Sequence, residues 1–382
     1  MNSNTTILDA LLRDIAANPF QRPRIANGWG GVPFTTKAEL VADFAAHPPY
    51  GSNLTFPRNA YTRFCQTSGT TGSPLAILDT PESWDWMLGN WQRIYRESGV
   101  VPGETIYFAF SFGPFLGFWT AFEAAAKYGA LCVPGGGLSS AARLQAIAAH
   151  RVDVLCCTPT YALHLAEVAR RESLPAKVRK IIVAGEPGGS IPSVRERISA
   201  EWDGAEVLDH YGMTEVGPVA FQKDGALHII DESYFAEVID PHTLAPLPDG
   251  TIGELVLTPL GRTAWPLLRY RTGDLVCRRG SALEGGIIGR TDDMVVVRGV
   301  NIYPSALDAV VRAMPEILEY RVTVSQRSEM TELAIEIECP DDSAAARLER
   351  TLAEAFTLRI PVRRAESLPR FELKARRWKR GE

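Results

Sequence analysis

Residues 67–74 read TSGTTGSP and are the stretch of this sequence best suited to binding a charged ligand. Small hydroxyl residues alternate with glycines there, so the backbone can turn tightly and point several N–H and O–H donors one way. Phosphate oxygens fit such a cradle. The stretch is not the usual nucleotide P-loop, because no Gly-Lys-Ser/Thr closes it. Taken alone, the stretch is equally typical of a phosphate-binding loop and of a polar, glycine-rich surface loop.

Composition narrows the class of protein. The chain has 382 residues, 46% of them hydrophobic, which suits a globular protein of about two or three domains. A formal charge of −5 argues against a nucleic-acid partner. No apolar run approaches the roughly 20 residues of a membrane span, and residues 1–4 lack a basic, apolar start. We therefore expect a cytoplasmic protein with no membrane partner.

Residues 104–209 alternate between predicted strands and helices. Strict alternation implies a parallel sheet with helices on both faces. Ligands in such sheets bind past the carboxyl ends of the strands, where the strand-to-helix loops fall. Two loops of that kind are predicted, at residues 185–189 (GEPGG) and 209–215 (DHYGMTE).

The pattern changes after residue 215. Short alternating runs separated by Asp-Gly and Pro turns predict antiparallel β structure at about residues 216–291. Residues 289–293 (GRTDD) mark a boundary, beyond which two helices and three strands predict a small α+β unit with a basic tail.

Several motifs stand in the order found in the adenylate-forming superfamily, which includes acyl-CoA synthetases, peptide-synthetase adenylation domains and luciferases. They are residues 67–74, 211–215 (YGMTE), 270–275 (YRTGDL) and 289–293. Within that group the chain most resembles phenylacetate–CoA ligases and related aryl-CoA ligases. The matching stretches are residues 33–37 (PFTTK), 158–161 (TPTY), 185–187 (GEP), 266–274 (PLLRYRTGD), 298–304 (RGVNIYP) and 368–370 (LPR).

The resemblance implies a fold and a reaction. The fold is α/β: a large domain of residues 1–291 with doubly wound sheets and a β-rich subdomain at about 216–291, then a small mobile domain of residues 292–382. The reaction is ATP-dependent conversion of an aromatic carboxylic acid to acyl-AMP, followed by transfer of the acyl group to CoA. ATP, Mg²⁺ and CoA are the expected cofactors.

The resemblance also assigns the phosphate end of the ATP site. Ser68, Gly69, Thr70, Thr71 and Gly72 would lie against the phosphates. The family often has lysine where this chain has Ser73, so one charge-assisted contact is missing.

Residues 211–215 would complete the nucleotide site. Tyr211 would stack near adenine, with Gly212 and Met213 beside it. Thr214 would contact the α-phosphate, and Glu215 would be both a catalytic residue and the Mg²⁺ ligand. The ordinary alternative is a helix N-cap at Thr214 with an acid in the first turn.

The nucleoside has further expected contacts. Asp274 would accept both ribose hydroxyls and Arg290 would contact ribose or phosphate; a surface salt bridge is the alternative. Gly185, Glu186 and Pro187 would line the adenine pocket; a simple turn is the alternative.

The remaining assignments concern domain rotation and catalysis. Asp292 would be the hinge, or only a linker, and Gly299 would meet the pantetheine of CoA. Lys374 would be the catalytic lysine that bridges carboxylate and α-phosphate. The family's glycine before it is Leu373 here, and the alternative is a member of a solvated basic tail.

Residues 108–119 contain a run of aromatic side chains, some of which could line the acyl pocket. Most of these rings are typical of core, but Phe112 and Gly113 are the expected pocket lining. A flat apolar slot favours an aryl or arylacetic acid, and no side chain identifies a ring substituent.

Two other functions stay open at this stage. The acyl group could pass to a carrier-protein thiol or an amine, or the chain could be a weakly catalytic protein that binds nucleotide or acyl-adenylate, as Ser73 and Leu373 suggest. Family members often pair, so a homodimer is a candidate oligomeric state.

Overall fold

The computed structural model describes residues 3–67, 74–293, 295–297, 300–327, 330–370 and 377–380. Within these ranges no helix is both long enough and apolar enough to cross a membrane. The first elements are α1 (Ser3–Asp14), α2 (Lys37–Ala46) and an antiparallel hairpin of β1 (Arg63–Gln66) and β2 (Ala76–Asp79).

The alternating region forms the predicted doubly wound unit. Its elements are α3 (Pro81–Glu97), β3 (Thr105–Phe108), α4 (Leu116–Tyr128), β4 (Leu131–Pro134), α5 (Ser140–Ala149), β5 (Val154–Cys157), α6 (Pro159–Glu172), β6 (Lys180–Ala184), α7 (Pro192–Glu201) and β7 (Glu206–Met213). The parallel strands lie in the order β4-β3-β5-β6-β7. Successive side chains of a strand point to opposite faces, so Ile106 and Phe108 pack with α3 and α4, whereas Tyr107 packs with α5 to α7.

Antiparallel strands extend the same sheet. They are β8 (Gly217–Lys223), β9 (Ala226–Ile229), β10 (Tyr234–Ile239), β11 (Ile252–Pro259), β12 (Tyr270–Arg279) and β13 (Ala282–Arg290). Their order from β7 is β8-β9-β13-β12-β11-β10, which gives one sheet of 11 strands among the described residues. The antiparallel region is therefore continuous with the parallel one.

The C-terminal unit has its own core. Its elements are β14 (Val295–Val297), β15 (Val300–Ile302), α8 (Pro304–Arg312), β16 (Glu319–Arg327), β17 (Met330–Glu338), α9 (Ser343–Phe356), β18 (Val362–Ala365) and β19 (Trp378–Arg380). Four strands pair in the order β18-β17-β16-β19, and α8 and α9 pack on them through a separate apolar cluster. The predicted α+β unit is confirmed.

The start of α2 is fixed to strand β12. Thr36 caps the helix: the Glu39 amide donates to Thr36 Oγ1, and the Thr36 amide donates to Glu39 Oε2 at 2.7 Å. The Thr35 amide donates to the carbonyl of Arg269 at 3.0 Å, and the Arg271 amide donates to the carbonyl of Thr35 at 2.9 Å. The helix start therefore has a fixed position beside Tyr270.

Candidate functional site

Three of the predicted nucleotide residues meet around one buried carboxylate. The Tyr211 hydroxyl, on β7, donates to Asp274 Oδ2 at 2.6 Å. Arg290 Nη1 donates to Asp274 Oδ1 at 2.9 Å. Asp274 and Arg290 are direct partners in the β12–β13 register, so sheet pairing itself brings them together.

This contact requires the sheet to curl. β7 and β12 are separated by β8, β9 and β13. In a flat sheet, four strand spacings of about 4.8 Å would hold the two strands roughly 19 Å apart. The hydrogen bond between Tyr211 and Asp274 can therefore form only because the sheet is strongly curved between β7 and β12.

Burial and neighbouring charges shift the pKa values of Asp274 and Arg290. Burial raises the pKa of Asp274, and the Arg290 guanidinium and Tyr211 hydroxyl lower it only in part. Burial would lower the pKa of Arg290, but Asp274 and Asp292 together raise it above its ordinary value. Gly273 has a φ of 75°, and a Cβ there would lie 2.9 Å from Arg290 Nη2, so this position requires glycine.

Thr214 and Glu215 lie in a turn between two strands. The sequence predicted a strand-to-helix loop there, with a helix N-cap as the alternative. The structure corrects this, because β7 runs to Met213 and β8 begins at Gly217 as its antiparallel partner. The two strands approach so closely that a Cβ on Gly212 would lie 2.7 Å from the carbonyl oxygen of Gly217. The predicted Mg²⁺ ligand thus lies at the tip of a tight hairpin.

The Glu215 carboxylate is buried between two partners from other segments. Lys37 Nζ, in the first turn of α2, lies 3.3 Å from Glu215 Oε1. The Tyr270 side chain, from β12, lies beside the same carboxylate. Burial first, and then the charge of Glu215, raise the pKa of Tyr270 well above its ordinary value.

A fully buried ion pair holds the backbone of this turn. Arg262 donates to Asp79 through Nε at 2.8 Å and Nη2 at 2.6 Å, and both side chains are at most 1% exposed. Arg262 Nη1 donates to the carbonyl oxygens of Thr214 and Glu215, each at 2.9 Å. Since Asp79 ends β2, this pair ties the β1–β2 hairpin to the Glu215 turn.

Residues 185–187 form the predicted loop after β6, where Gly185 has a φ of 92°. Glu186 Oε1 accepts a hydrogen bond from the Thr160 amide at 2.8 Å, in the first turn of α6. A carboxylate at a helix N-terminus is favourable. This loop is therefore held in place by α6.

Phe112 combines backbone strain with aromatic contacts. Its φ is 49°, in the left-handed region that bulky residues rarely adopt. Its ring lies 5.2 Å from that of Trp119 and 5.4 Å from that of Phe122, centroid to centroid. Phe112 and Met213 both pack on the buried cluster that contains Tyr211, so the predicted acyl and nucleotide residues share one apolar core.

The C-terminal unit contacts α6 through charged groups. Arg370 pairs with Glu338 at 2.8 Å and with Glu167, on α6, at 3.0 Å. Arg377 Nη2 lies 3.4 Å from Thr160 Oγ1. A cavity of about 140 Å³ lies between α6, α7 and this unit, and five of its lining residues are arginines: Arg170, Arg197, Arg312, Arg370 and Arg377.

Several predicted residues lie outside the described part of the chain. They are Ser68, Gly69, Thr70, Thr71, Gly72, Gly299 and Lys374. Asp292 is described; it is half-exposed and accepts a hydrogen bond from Arg290 Nε at 2.9 Å. Gly113 follows Phe112 and accepts, through its carbonyl oxygen, a hydrogen bond from Trp119 Nε1 at 3.1 Å.

Sequence reasoning assigned no role to four residues that hold this site together. Lys37 and Tyr270 stood inside quoted motifs, but nothing in their spacing predicted that both would reach Glu215. Asp79 and Arg262 are 183 residues apart in sequence and were not singled out. The available signal was a charged residue at the end of each of two apolar runs.

Comparison with known proteins gives consistent results. Residues 55–259 match the family described as AMP-binding enzyme, and residues 299–379 match its C-terminal domain. Phenylacetate-coenzyme A ligase of Thermus thermophilus is 32% identical over 80% of this chain and 71% of its own length. The protein of the same name from Escherichia coli is 30% identical over 87% of this chain and 77% of its own length.

A solved structure adds information on conformation. The crystal structure of 2-hydroxyisobutyryl-CoA ligase in its postadenylation state has a TM-score of 0.91 at 27% identity, covering 99% of this chain and 88% of that one. The same enzyme in its thioesterification state has a TM-score of 0.71 at 29% identity, with 98% and 88% covered. The arrangement described above is therefore closer to the postadenylation state.

The buried ion pair generates a stability prediction. Asp79→Asn removes the charge that compensates the buried Arg262 guanidinium, and we expect the free energy of unfolding to fall by about 3–5 kcal/mol. Replacing both residues with apolar side chains, Asp79→Leu with Arg262→Met, should recover most of this loss. Urea unfolding followed by tryptophan fluorescence measures both values.

Asp85→Asn is the matched control, because Asp85 pairs with Lys127 on the surface at 2.9 Å. Its effect should stay below about 1 kcal/mol. An Asp79→Asn protein as stable as this control would contradict the anchoring role.

Proposed function

This chain belongs to the family of AMP-binding enzymes, and we propose that it activates an aromatic carboxylic acid with ATP and transfers the acyl group to CoA. The hydrogen bonds that Tyr211 and Arg290 donate to the Asp274 carboxylate, at 2.6 and 2.9 Å, carry the proposal. The likeness to phenylacetate-coenzyme A ligases supplies the substrate class. The products would be aryl-CoA, AMP and pyrophosphate.

The reaction needs a better leaving group than a carboxylate oxygen. Bound ATP supplies it as adenylate. Asp274 accepts hydrogen bonds from the ribose hydroxyls, and Arg290 and Tyr211 hold it in place for that role. Fixed contacts of this kind lower the barrier by holding the reacting groups in position.

Glu215 fits the part of a Mg²⁺ ligand in this proposal. A hard cation prefers carboxylate oxygens, and Glu215 offers one from a fixed backbone turn. No group of three or more His, Cys, Asp or Glu that could hold a metal is found among the described residues. The remaining ligands would come from the phosphates and water.

Lys374 would supply the positive charge between carboxylate and α-phosphate. Support comes from the described residues on either side of it: Arg370 contacts α6 at Glu167, and Arg377 contacts α6 at Thr160. The Thr160 amide in turn binds Glu186 of the proposed adenine wall. A chain anchored on both sides to α6 suits a lysine that must reach the nucleotide.

The same enzyme would pass through a second arrangement for thioester formation. Asp292, at the end of β13, is the proposed hinge, and Gly299 would then meet CoA. A related ligase has been solved in both a postadenylation and a thioesterification state, which supports the same alternation for this chain. Residues 1–291 and 292–382 are the two proposed moving parts.

Phe112 and Gly113 are the proposed acyl-pocket lining. Backbone strain at Phe112 needs support from its surroundings, and the rings of Trp119 and Phe122 provide it. A slot bordered by such rings suits a flat acid.

The direct test measures ATP-dependent pyrophosphate release with a panel of acids. Phenylacetate, benzoate and their hydroxy and amino derivatives represent aryl acids, and 2-hydroxyisobutyrate represents small aliphatic acids. We expect turnover with an aryl acid and a CoA thioester by mass spectrometry. Turnover with the aliphatic acid alone, or with none, would refute the proposal. Parallel reactions with a carrier protein or an amine in place of CoA identify the acceptor.

A second prediction concerns the ribose contact. Asp274→Asn should raise the KM for ATP by about tenfold or more, since charge-assisted hydrogen bonds of about 1.5–3 kcal/mol each are weakened. Asp203→Asn is the control, because Asp203 is exposed and paired only with Lys177 at 2.7 Å among the described residues. Equal KM values in the two variants would exclude the contact.

A third prediction separates the half-reactions. Lys374→Ala should lower the rate of adenylation by about 10²–10³-fold, the cost of removing one electrostatic contact to a transition state. Thioester formation from supplied acyl-adenylate should survive. Lys379→Ala, in the same basic run but exposed, should leave both rates unchanged. Equal loss of both half-reactions in Lys374→Ala would show that the lysine is not the adenylation catalyst.

Three finer points belong to the same proposal. CoA is the acceptor in preference to a carrier protein, the location is cytoplasmic because ATP and CoA are substrates, and the chain pairs as a homodimer, as the resemblance implied. Light scattering after size exclusion distinguishes a dimer from a monomer, and fractionation of cells tests the location.

A further inference from the structure

The stability of helix α2 does not explain a lysine at position 37. It occupies the first position of α2, where the partial positive charge of the helix N-terminus disfavours a cation. Other residues already satisfy that helix end: Thr36 caps it, and Glu39 completes the capping box and pairs with Arg24 at 3.0 Å. The position of Lys37 is therefore explained by what its ammonium group contacts.

That contact is Glu215. The ammonium lies 3.3 Å from Oε1 of a carboxylate whose side chain is 9% exposed, while the lysine itself is 39% exposed. The lysine is thus the solvent-facing member of the pair and can move away without rearrangement of the core. Glu215 cannot, since Arg262 holds its backbone carbonyl oxygen and its side chain is buried beside Tyr270.

The protein provides little else for a free cation at this point. In the described ranges no three His, Cys, Asp or Glu side chains form a group that could hold a metal. A free divalent cation would have to compete with a resident ammonium for one carboxylate. A cation carried by triphosphate brings its own oxygen ligands and a net negative charge that attracts the displaced lysine.

We propose that Lys37 is the resident counter-ion of Glu215. Its ammonium group keeps a free divalent cation from binding this carboxylate and is displaced by a divalent cation that arrives bound to ATP. This inference rests on the proposed role of Glu215 and assigns a new positioning role to Lys37. It makes the enzyme selective for the metal–nucleotide complex over the bare metal.

The test uses Mn²⁺ as the probe and the full-length protein without nucleotide. Lys37→Met should bind Mn²⁺ about tenfold more tightly than the wild type in calorimetric titration, the change expected when one charge-assisted competitor is removed. Lys37→Arg keeps the charge and should behave as wild type. The double variant Lys37→Met with Glu215→Gln should bind Mn²⁺ no more tightly than the wild type. That result would identify Glu215 as the ligand that Lys37 otherwise occupies.

Lys127→Met is the matched control, because it removes a lysine from a surface ion pair with Asp85. Lys37→Gln serves as a second neutral variant should Lys37→Met fold poorly. The KM for MgATP of the neutral variants should be unchanged or raised. Mn²⁺ binding that is no tighter than wild type, or a KM for MgATP lowered by the same factor, would overturn the proposal.

This outcome is separate from that of the proposed function. Pyrophosphate release by the wild type with aryl acids tests the function, whereas the comparison of Mn²⁺ affinities needs no turnover.

Discussion

The buried pair of Arg262 and Asp79 is the interaction on which the geometry of the site depends. A guanidinium removed from water must keep its partners, because an uncompensated buried charge costs several kcal/mol. Its partners come from two separate segments: the carboxylate that ends β2 and the carbonyl oxygens of Thr214 and Glu215. Strand β2 and the Glu215 turn are therefore fixed relative to each other.

A second constraint comes from two strands that each contribute two residues. β7 carries Tyr211 and ends at Met213, two residues before Glu215, and β12 carries Tyr270 and Asp274. Tyr211 donates a hydrogen bond to Asp274, and Tyr270 lies beside Glu215. Sheet curvature is what allows both contacts at once, so the shape of an 11-stranded sheet determines the distance between the two ends of the proposed nucleotide site.

Much of this could be predicted from the sequence. Local periodicity predicted alternating strands and helices over residues 104–209, which the structure has as β3 to β7 with α4 to α7 between them. Ordered motifs identified the family, the reaction class and its cofactors. Residues 209–215 were placed in a strand-to-helix loop. Antiparallel structure was predicted from about residue 216, but the local pattern does not show that its first strand pairs with β7 itself. The partners of Glu215 were also missed, since contacts between Lys37, Tyr270 and Glu215 depend on how distant segments pack.

The boundary between helices α6 and α7 and the C-terminal unit has a consequence for the energetics of motion. Its contacts are ion pairs and hydrogen bonds, such as Arg370 with Glu167 and the Arg197 guanidinium with the carbonyl of Ile317 at 3.0 Å. The apolar cluster of the C-terminal unit is complete within that unit. Separation of these surfaces therefore exposes groups that water solvates well and little hydrocarbon. The balance between joined and separated forms should respond to ionic strength far more than to temperature, because ion pairs are screened by salt and apolar burial is not.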